Sequence, residues 1–363
     1  MRTNVLILGK SGVGKSSLLN YLWGDDVAQV GAGKPQTGEG VYRYDPIEFN
    51  NIDVAIFDSY GLEADRADRW HEIIDEEVKK HDRNAEPLEW FHTVIYCIDA
   101  KRARIEDFEV EEILRPLVEK GNRICFVLTK CDIASEEEVL SLRSLLVETF
   151  PEHSGIHTAC CVPKKTLGGG VGEVYGREDL LNGFVTNFAD NLFSKMEINY
   201  NETVSERLRC VRADIKTTFE SDLGSLFSGV SGCFDRVEAY SEKKYERLNR
   251  HLLEEVGGTS KVCCELYNVA LSDFLKIDRR ISANEVHCGV LAKIPGLSEK
   301  NTFGEACLRS LIPLGSWGKR WVYKDDIDDA LIEIEGHIKK SHAELVREIV
   351  LELRQFTEAS KTS

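Results

Sequence analysis

Between residues 9 and 16 the chain reads Gly9-Lys10-Ser11-Gly12-Val13-Gly14-Lys15-Ser16, a G-x-x-x-x-G-K-S run, and nothing else in its 363 residues restricts the fold as tightly. The run follows the apolar stretch Val5–Leu8 and opens a helical pattern near Lys15–Trp23, so it reads as a strand–loop–helix junction. Glycines at these spacings let successive backbone N–H groups turn inward around a phosphate, and the helix N-terminus adds its dipole. Lys15 is expected to reach the β- and γ-phosphates of a nucleotide and the Ser16 hydroxyl to ligate Mg²⁺, with Gly9, Ser11, Gly12, Val13, Gly14 and Ser17 completing the cradle.

The surrounding pattern fits such a loop. Apolar runs at Val5–Leu8, Val41–Phe49, Ile52–Phe57, Val94–Ile98, Ile124–Leu128 and Ile156–Ala159 alternate with helical stretches near Lys15–Trp23, Arg69–Lys80, Glu106–Glu119 and Glu136–Phe150. This predicts an α/β fold with a doubly wound, mostly parallel sheet. The length suggests two domains. No proline falls between Pro163 and Pro295, and from about Asp179 to Val256 leucine-like spacing such as Val204-Leu208-Val211-Ile215-Phe219 predicts one or two long amphipathic helices. Gly257-Gly258-Thr259-Ser260 reads as a stop followed by a new N-cap. A last helix from about Asp325 carries Ile327, Leu331, Ile334, Ile338, Leu345 and Ile349 on one stripe, read as the core of a bundle in preference to a coiled-coil seam because the pattern slips near Ser341 and His342. The expected division is residues 1–195, α/β, and residues 196–363, all-α.

Two further strand ends carry chemistry. Asp58-Ser59-Tyr60-Gly61 follows Ile52–Phe57, where Asp58 can hold the magnesium water shell and the Gly61 N–H can touch the γ-phosphate. Thr129-Lys130-Cys131-Asp132 ends another apolar run; the Asp132 carboxylate can accept paired hydrogen bonds from guanine N1 and N2, a donor pair adenine lacks, while the Lys130 stem covers the purine face.

These spacings resemble the P-loop GTPases of the Era/TrmE/septin-like class, with dynamin-like and immunity-related GTPases as relatives, over about residues 1–195. The resemblance implies binding of GTP and GDP with Mg²⁺ and hydrolysis of GTP as a nucleotide-dependent switch. It also implies a switch I threonine, for which Thr37 is chosen, and a loop at Thr158-Ala159 whose backbone N–H meets guanine O6. Lys15, Thr37 and Gly61 are then the catalytic set, and Ser16, Thr37 and Asp58 the metal set. Leu62 stands where Ras-like relatives have the water-orienting glutamine, so hydrolysis should be slow without an activator or self-assembly; Glu63 and Asp65 are weaker substitutes. Gly12 stands where potassium-activated relatives of TrmE have Asn, and Thr129 replaces the commoner Asn of the guanine motif.

Composition narrows the partners. The formal charge is −16, with 22 basic against 35 acidic residues in the first 200 (−13) and only −3 in the remainder. Such a surface argues against nucleic acid, which needs a basic field, and so against an RNA- or ribosome-assembly role. Eleven scattered cysteines, with no apparent signal sequence, point to a cytoplasmic chain with reduced thiols. The pairs Cys160-Cys161 and Cys263-Cys264 read as small buried hydrophobes, and His251, His287, His337 and His342 as surface or core residues. Residues 289–297 and 308–321, the latter with Trp317, Lys319, Arg320 and Trp321, suit peripheral membrane contact, although a packed loop is favoured. A homodimer or a self-assembling, dynamin-like protein on membranes is the alternative to a simple switch whose helical domain signals to a partner.

Overall fold

The computed structural model describes residues 2–24, 41–49, 52–59, 67–81, 85–102, 104–163, 173–224, 230–274, 280–292 and 324–361. Thr37, Gly61, Leu62, Glu63, Asp65 and the stretches 293–297 and 308–321 lie outside the described residues.

The chain divides into two compact units, Met1–Lys195 with Glu265–Arg280, and Met196–Cys264 with Ile281–Ser363. The first unit thus takes in a return segment, Glu265–Arg280, from late in the chain. There Val269 packs against the sheet's core and the Tyr267 ring lies 5.9 Å from that of Phe193.

The first unit is built on one sheet. Strands β1 (Arg2–Leu8), β4 (Ile52–Ser59), β5 (Phe91–Asp99), β6 (Ile124–Thr129) and β7 (Gly155–Thr158) run parallel, and β2 (Val41–Arg43) and β3 (Ile47–Phe49) pair antiparallel with β4. The order is β2-β4-β1-β5-β6-β7, with β3 beside β4. The single strand expected over residues 41–49 is thus two. Between the pairs Arg43↔Phe57 and Ile47↔Val54, three residues face two, so one extra residue bulges out at Asp45-Pro46, where proline has no N–H to donate to the ladder. Alternation along β1 sends Leu6 and Leu8 to one face of the sheet and Val5 and Ile7 to the other. The first face is covered by α2 (Ala67–His81), α3 (Arg115–Glu119) with the π-helical turn Glu109–Leu114 before it, and α4 (Glu136–Thr149); the second by α1 (Lys15–Trp23) and the start of α5 (Arg177–Gly224). All of β5 is buried, as a central parallel strand must be. Ser135 caps α4, its hydroxyl accepting from the Glu138 N–H while the Glu138 carboxylate accepts from the Ser135 N–H.

The second unit takes the rest of α5, most of α6 (Val230–Phe274), α7 (Ala283–Ala292) and α8 (Lys324–Lys361). The expected break at Gly257-Gly258 is absent: α6 runs straight through. Leu252, Leu253, Val256, Ser260, Cys263 and Cys264 continue one buried stripe across the glycines, and that burial outweighs a helix penalty of about 1 kcal/mol per glycine. On α8, Leu331, Ile334, Ile338, Leu345 and Ile349 are buried within the chain, as a bundle core requires.

Candidate functional site

Because β1, β4, β5, β6 and β7 are parallel, their C-terminal ends share one edge, and the register aligns what they carry: Ile7 opposite Asp58, Asp99 opposite Thr129, Leu128 opposite Thr158. Neighbours of β1 on its two sides are reached by crossovers in opposite directions, which opens a crevice at that edge. The glycine run sits there, between β1 and α1.

Its backbone explains its glycines. Gly9, Gly12 and Gly14 have φ of 141°, 73° and 104°, and a Cβ at Gly9 would lie 2.5 Å from the Cys97 carbonyl oxygen, so β5 leaves no room for a side chain. Lys15 opens α1 yet is only 8% exposed. Its ammonium donates to the carbonyls of Gly9 (2.8 Å) and Lys10 (3.2 Å). Burial holds its pKa below the usual lysine value against the opposing pull of the Asp58 carboxylate. Asp58 moves the other way: burial pushes its pKa up to about 6, while the Lys15 charge and the Tyr44 hydroxyl, which donates to Oδ2 at 3.3 Å, pull it back. Asp58 Oδ1 is buried and has no hydrogen-bond partner among the described residues. Ser16, on the first turn of α1, is half-buried.

The end of β6 is tied to the same loop. Thr129 Oγ1 lies 2.5 Å from the Val13 carbonyl and 3.1 Å from that of Ile98. Thr129 therefore braces the loop. Lys130 is the non-glycine residue with a left-handed backbone (φ 57°) among those described, a costly conformation that its side chain exploits. Its Nζ donates to the Gly12 carbonyl at 2.6 Å and to Asp99 Oδ2 at 2.8 Å, so its aliphatic stem spans the gap from β6 to the loop. Asp132, two residues on, is exposed.

Beyond β7 the Ala159 N–H donates to the Leu128 carbonyl at 2.9 Å and the Cys160 N–H to the Tyr175 carbonyl at 3.2 Å, so Thr158 and Ala159 close the sheet edge beside the site.

Sequence reasoning also missed residues that organise the site. Asp99 and Tyr44 hold Lys130 and Asp58 as described. Lys10 Nζ is 2.6 Å from Glu106 Oε1 and lies over the Phe108 ring, and the Glu106 N–H is capped by buried Glu109, whose other oxygen accepts from Tyr96 at 2.6 Å. An acidic residue ending an apolar strand was the available signal for Asp99. For Tyr44 and Glu106 there was none, since both act across the fold.

Residues 4–130 match the family of 50S ribosome-binding GTPases. The chain is 31% identical over 150 residues to the tRNA modification GTPase MnmE of Acetivibrio thermocellus, covering 39% of this chain and 28% of that protein. It is 37% identical over 84 residues to the translocase of chloroplast 101 of Physcomitrium patens, covering 23% and 9%. It thus spans less than a third of either relative's length. Among solved structures, Era of Aquifex aeolicus bound to GDP and aluminium fluoride is similar at 25% identity over 52% of this chain and 56% of that one (TM-score 0.36). Toc33 of Arabidopsis thaliana in complex with GDP and Mg²⁺ is similar at 18% identity over 52% and 84% (TM-score 0.38). The matched stretch, residues 4–130, holds the phosphate loop and most of the sheet, and a mostly helical C-terminal region follows it. Among the described residues no helix is long and apolar enough to cross a membrane.

Proposed function

We propose that the protein binds GTP, hydrolyses it to GDP and phosphate, and acts as a switch whose helical region, residues 196–363, passes the nucleotide state of residues 1–195 to a partner. The observation that carries this reading is the convergence on one loop of a buried lysine, a buried carboxylate with an unmet oxygen, and a lysine braced across the base side. Lys15 would exchange the Gly9 and Lys10 carbonyls for β- and γ-phosphate oxygens, and its burial strengthens that attraction. The loop amides from Gly9 to Ser17 would hold the remaining phosphate oxygens and stabilise charge that grows in the transition state.

The donor set also fits Mg²⁺: the orphaned Asp58 Oδ1 is a buried anionic oxygen lacking a partner, and Ser16 stands at the start of the adjacent helix. Ser16, Asp58 and Thr37 would hold the ion, which when bound would neutralise charge on the transferring phosphoryl group. Thr37 and the Gly61 amide complete the set around the γ-phosphate. Leu62 has no hydrogen-bonding group for the attacking water, so intrinsic turnover is slow. On the base side, the Lys130 stem covers the purine and Asp132 pairs with N1 and N2 of guanine.

Competition between GTP and ATP, with phosphate release measured alongside, tests the reading. GTP and GDP should bind far more tightly than ATP, and Asp132→Asn should shift preference toward xanthine nucleotides; equal affinity of the unmodified protein for ATP and GTP would remove the guanine assignment. Light scattering in GDP and in a non-hydrolysable GTP analogue, with and without liposomes, separates a monomeric cytoplasmic switch from a homodimer or membrane-bound assembly.

A further inference from the structure

The interior of α6, a helix of 45 residues, carries two adjacent glycines, Gly257 and Gly258. Relative to alanine, each weakens a helix by about four- to fivefold in its folding constant. Two other helical glycines have a steric reason to be there: a Cβ at Gly183 on α5 would collide with the His157 ring, and one at Gly289 on α7 would lie 2.7 Å from Glu352 Oε2. Gly257 and Gly258 have no such reason. A Cβ at Gly257 would meet nothing nearer than His287 Cε1, at an ordinary 3.9 Å, and one at Gly258 would meet nothing within 4 Å. Neither has the left-handed backbone that favours glycine.

A second feature loosens the same turn. Ser260, completely buried, donates its hydroxyl to the Gly257 carbonyl at 3.0 Å and lies 2.7 Å from Nε2 of His287 on α7. Because Ser260 spends its proton on Gly257, the His287 Nε2–H is the donor of the other bond, and it keeps the hydroxyl in place. A serine hydroxyl drawn onto a carbonyl of the preceding turn competes with the helix's own amide and favours a bend. Leu252, Leu253, Val256, Cys263 and Cys264 keep one face of α6 buried, whereas Gly258 is exposed, so packing holds the helix along that face while the backbone opposite it is bare to water.

About two turns further on, α6 passes from the second unit into the return segment that begins at Glu265. We propose that Gly257-Gly258 is a hinge: α6 bends there, ahead of the return segment, as the nucleotide state changes, and the Ser260–Gly257 bond eases the bend. The inference rests on the switch reading for what drives the hinge, and on the geometry of α6 for where the hinge lies.

Amide exchange over residues 250–270 tests it in the full chain, loaded with GDP and with a non-hydrolysable GTP analogue. In the parent, amides of residues 258–262 should exchange about tenfold or more faster than those of the turns on either side, by a factor that differs between the two nucleotides. Gly257→Ala and Gly258→Ala together should close that window and abolish its nucleotide dependence, raise the urea midpoint, and leave GDP affinity at the parent value. Ser260→Ala should slow the window part of the way. Uniform protection across residues 250–270 in the parent would overturn the hinge, and so would a lower urea midpoint in the alanine variant, since the glycines would then be needed for packing. A fast window identical in the two nucleotides would overturn the coupling while GTP binding stands. Failure of the chain to bind either nucleotide would overturn both readings, and a titration shows that before any exchange is measured.

Discussion

The two compact units both bury polar side chains, but they leave them in opposite electrostatic conditions. At the sheet edge two buried groups are charged: the Lys15 ammonium donates to two backbone carbonyls beside the Asp58 carboxylate, and Asp58 Oδ1 has no hydrogen-bond partner among the described residues. In the helical unit a buried cluster of neutral groups joins three helices. Tyr200 on α5 lies 2.7 Å from Nδ1 of His342 on α8 and 3.1 Å from the Leu252 carbonyl on α6, while Nε2 of His342 lies 3.0 Å from Asn249. Burial lowers the His342 pKa to about 4, so the ring is uncharged at neutral pH and bridges three helices with one nitrogen donating and the other accepting. Uncompensated charge marks a place that awaits a ligand, whereas a neutral network specifies how helices register.

The largest expected effect breaks the charged side alone. Lys15→Ala removes a buried cation whose solvation already costs stability, so urea unfolding should shift little, while nucleotide affinity and turnover should fall by about 10²- to 10³-fold. Wild-type GTP affinity in a titration of that variant would mean the loop does not hold phosphate. The helical unit should be indifferent: its far-UV helical signal should match the parent's.

A second, somewhat smaller effect belongs to the neutral side and depends on pH. His342 titrates near 6.5 when unfolded and near 4 when folded, so between those values the unfolded chain binds the extra proton. Its contribution to stability is complete above about pH 6.5, is lost as pH falls toward 4, and amounts to about 3 kcal/mol over that window. Comparing urea midpoints of the parent and His342→Gln at pH 7, 5 and 4 isolates this group, and the variant should show the shallower pH dependence. GDP affinity of the variant at pH 7 should equal the parent's. An equally steep acid loss in both proteins would show that His342 is not the titrating centre.

How much of this contrast the amino-acid order discloses depends on how local each cause is. The loop, Asp58 and the Thr129-to-Asp132 segment follow strand ends within a few residues, so spacing alone places them at one edge of a parallel sheet. The helical stripe is equally local, and even its irregularity near His342 was visible, although its meaning was not: the histidine's partners are 142 and 93 residues away. The same distance problem hides Tyr44 and Glu106. Gly257-Gly258 misled for the converse reason, since a local helix-breaking preference lost to burial on either side of it. The bulge at Asp45-Pro46 went unread although the proline is visible in the sequence, because only the pairing with β4 shows which residue is extra.

The smallest effect tests whether the brace between β6 and the loop is felt at the nucleotide. Thr129→Val keeps the branched shape, and Thr129 stays in ordinary contact range of Gly14, where a Cβ would lie 3.8 Å from the threonine's own. What is lost is the hydroxyl between the Val13 and Ile98 carbonyls, and leaving such buried acceptors unmet costs about 1 kcal/mol. The Val13 carbonyl belongs to the phosphate loop, so part of that cost should appear as a GDP dissociation constant raised about two- to fivefold, with IDP raised by the same factor because the base contacts are untouched. A selective loss of GDP in Thr129→Val would move Thr129 from the loop's scaffold to the base side. An unchanged dissociation constant would confine the charged region's sensitivity to Lys15 and Asp58, and would make the brace a feature of folding alone.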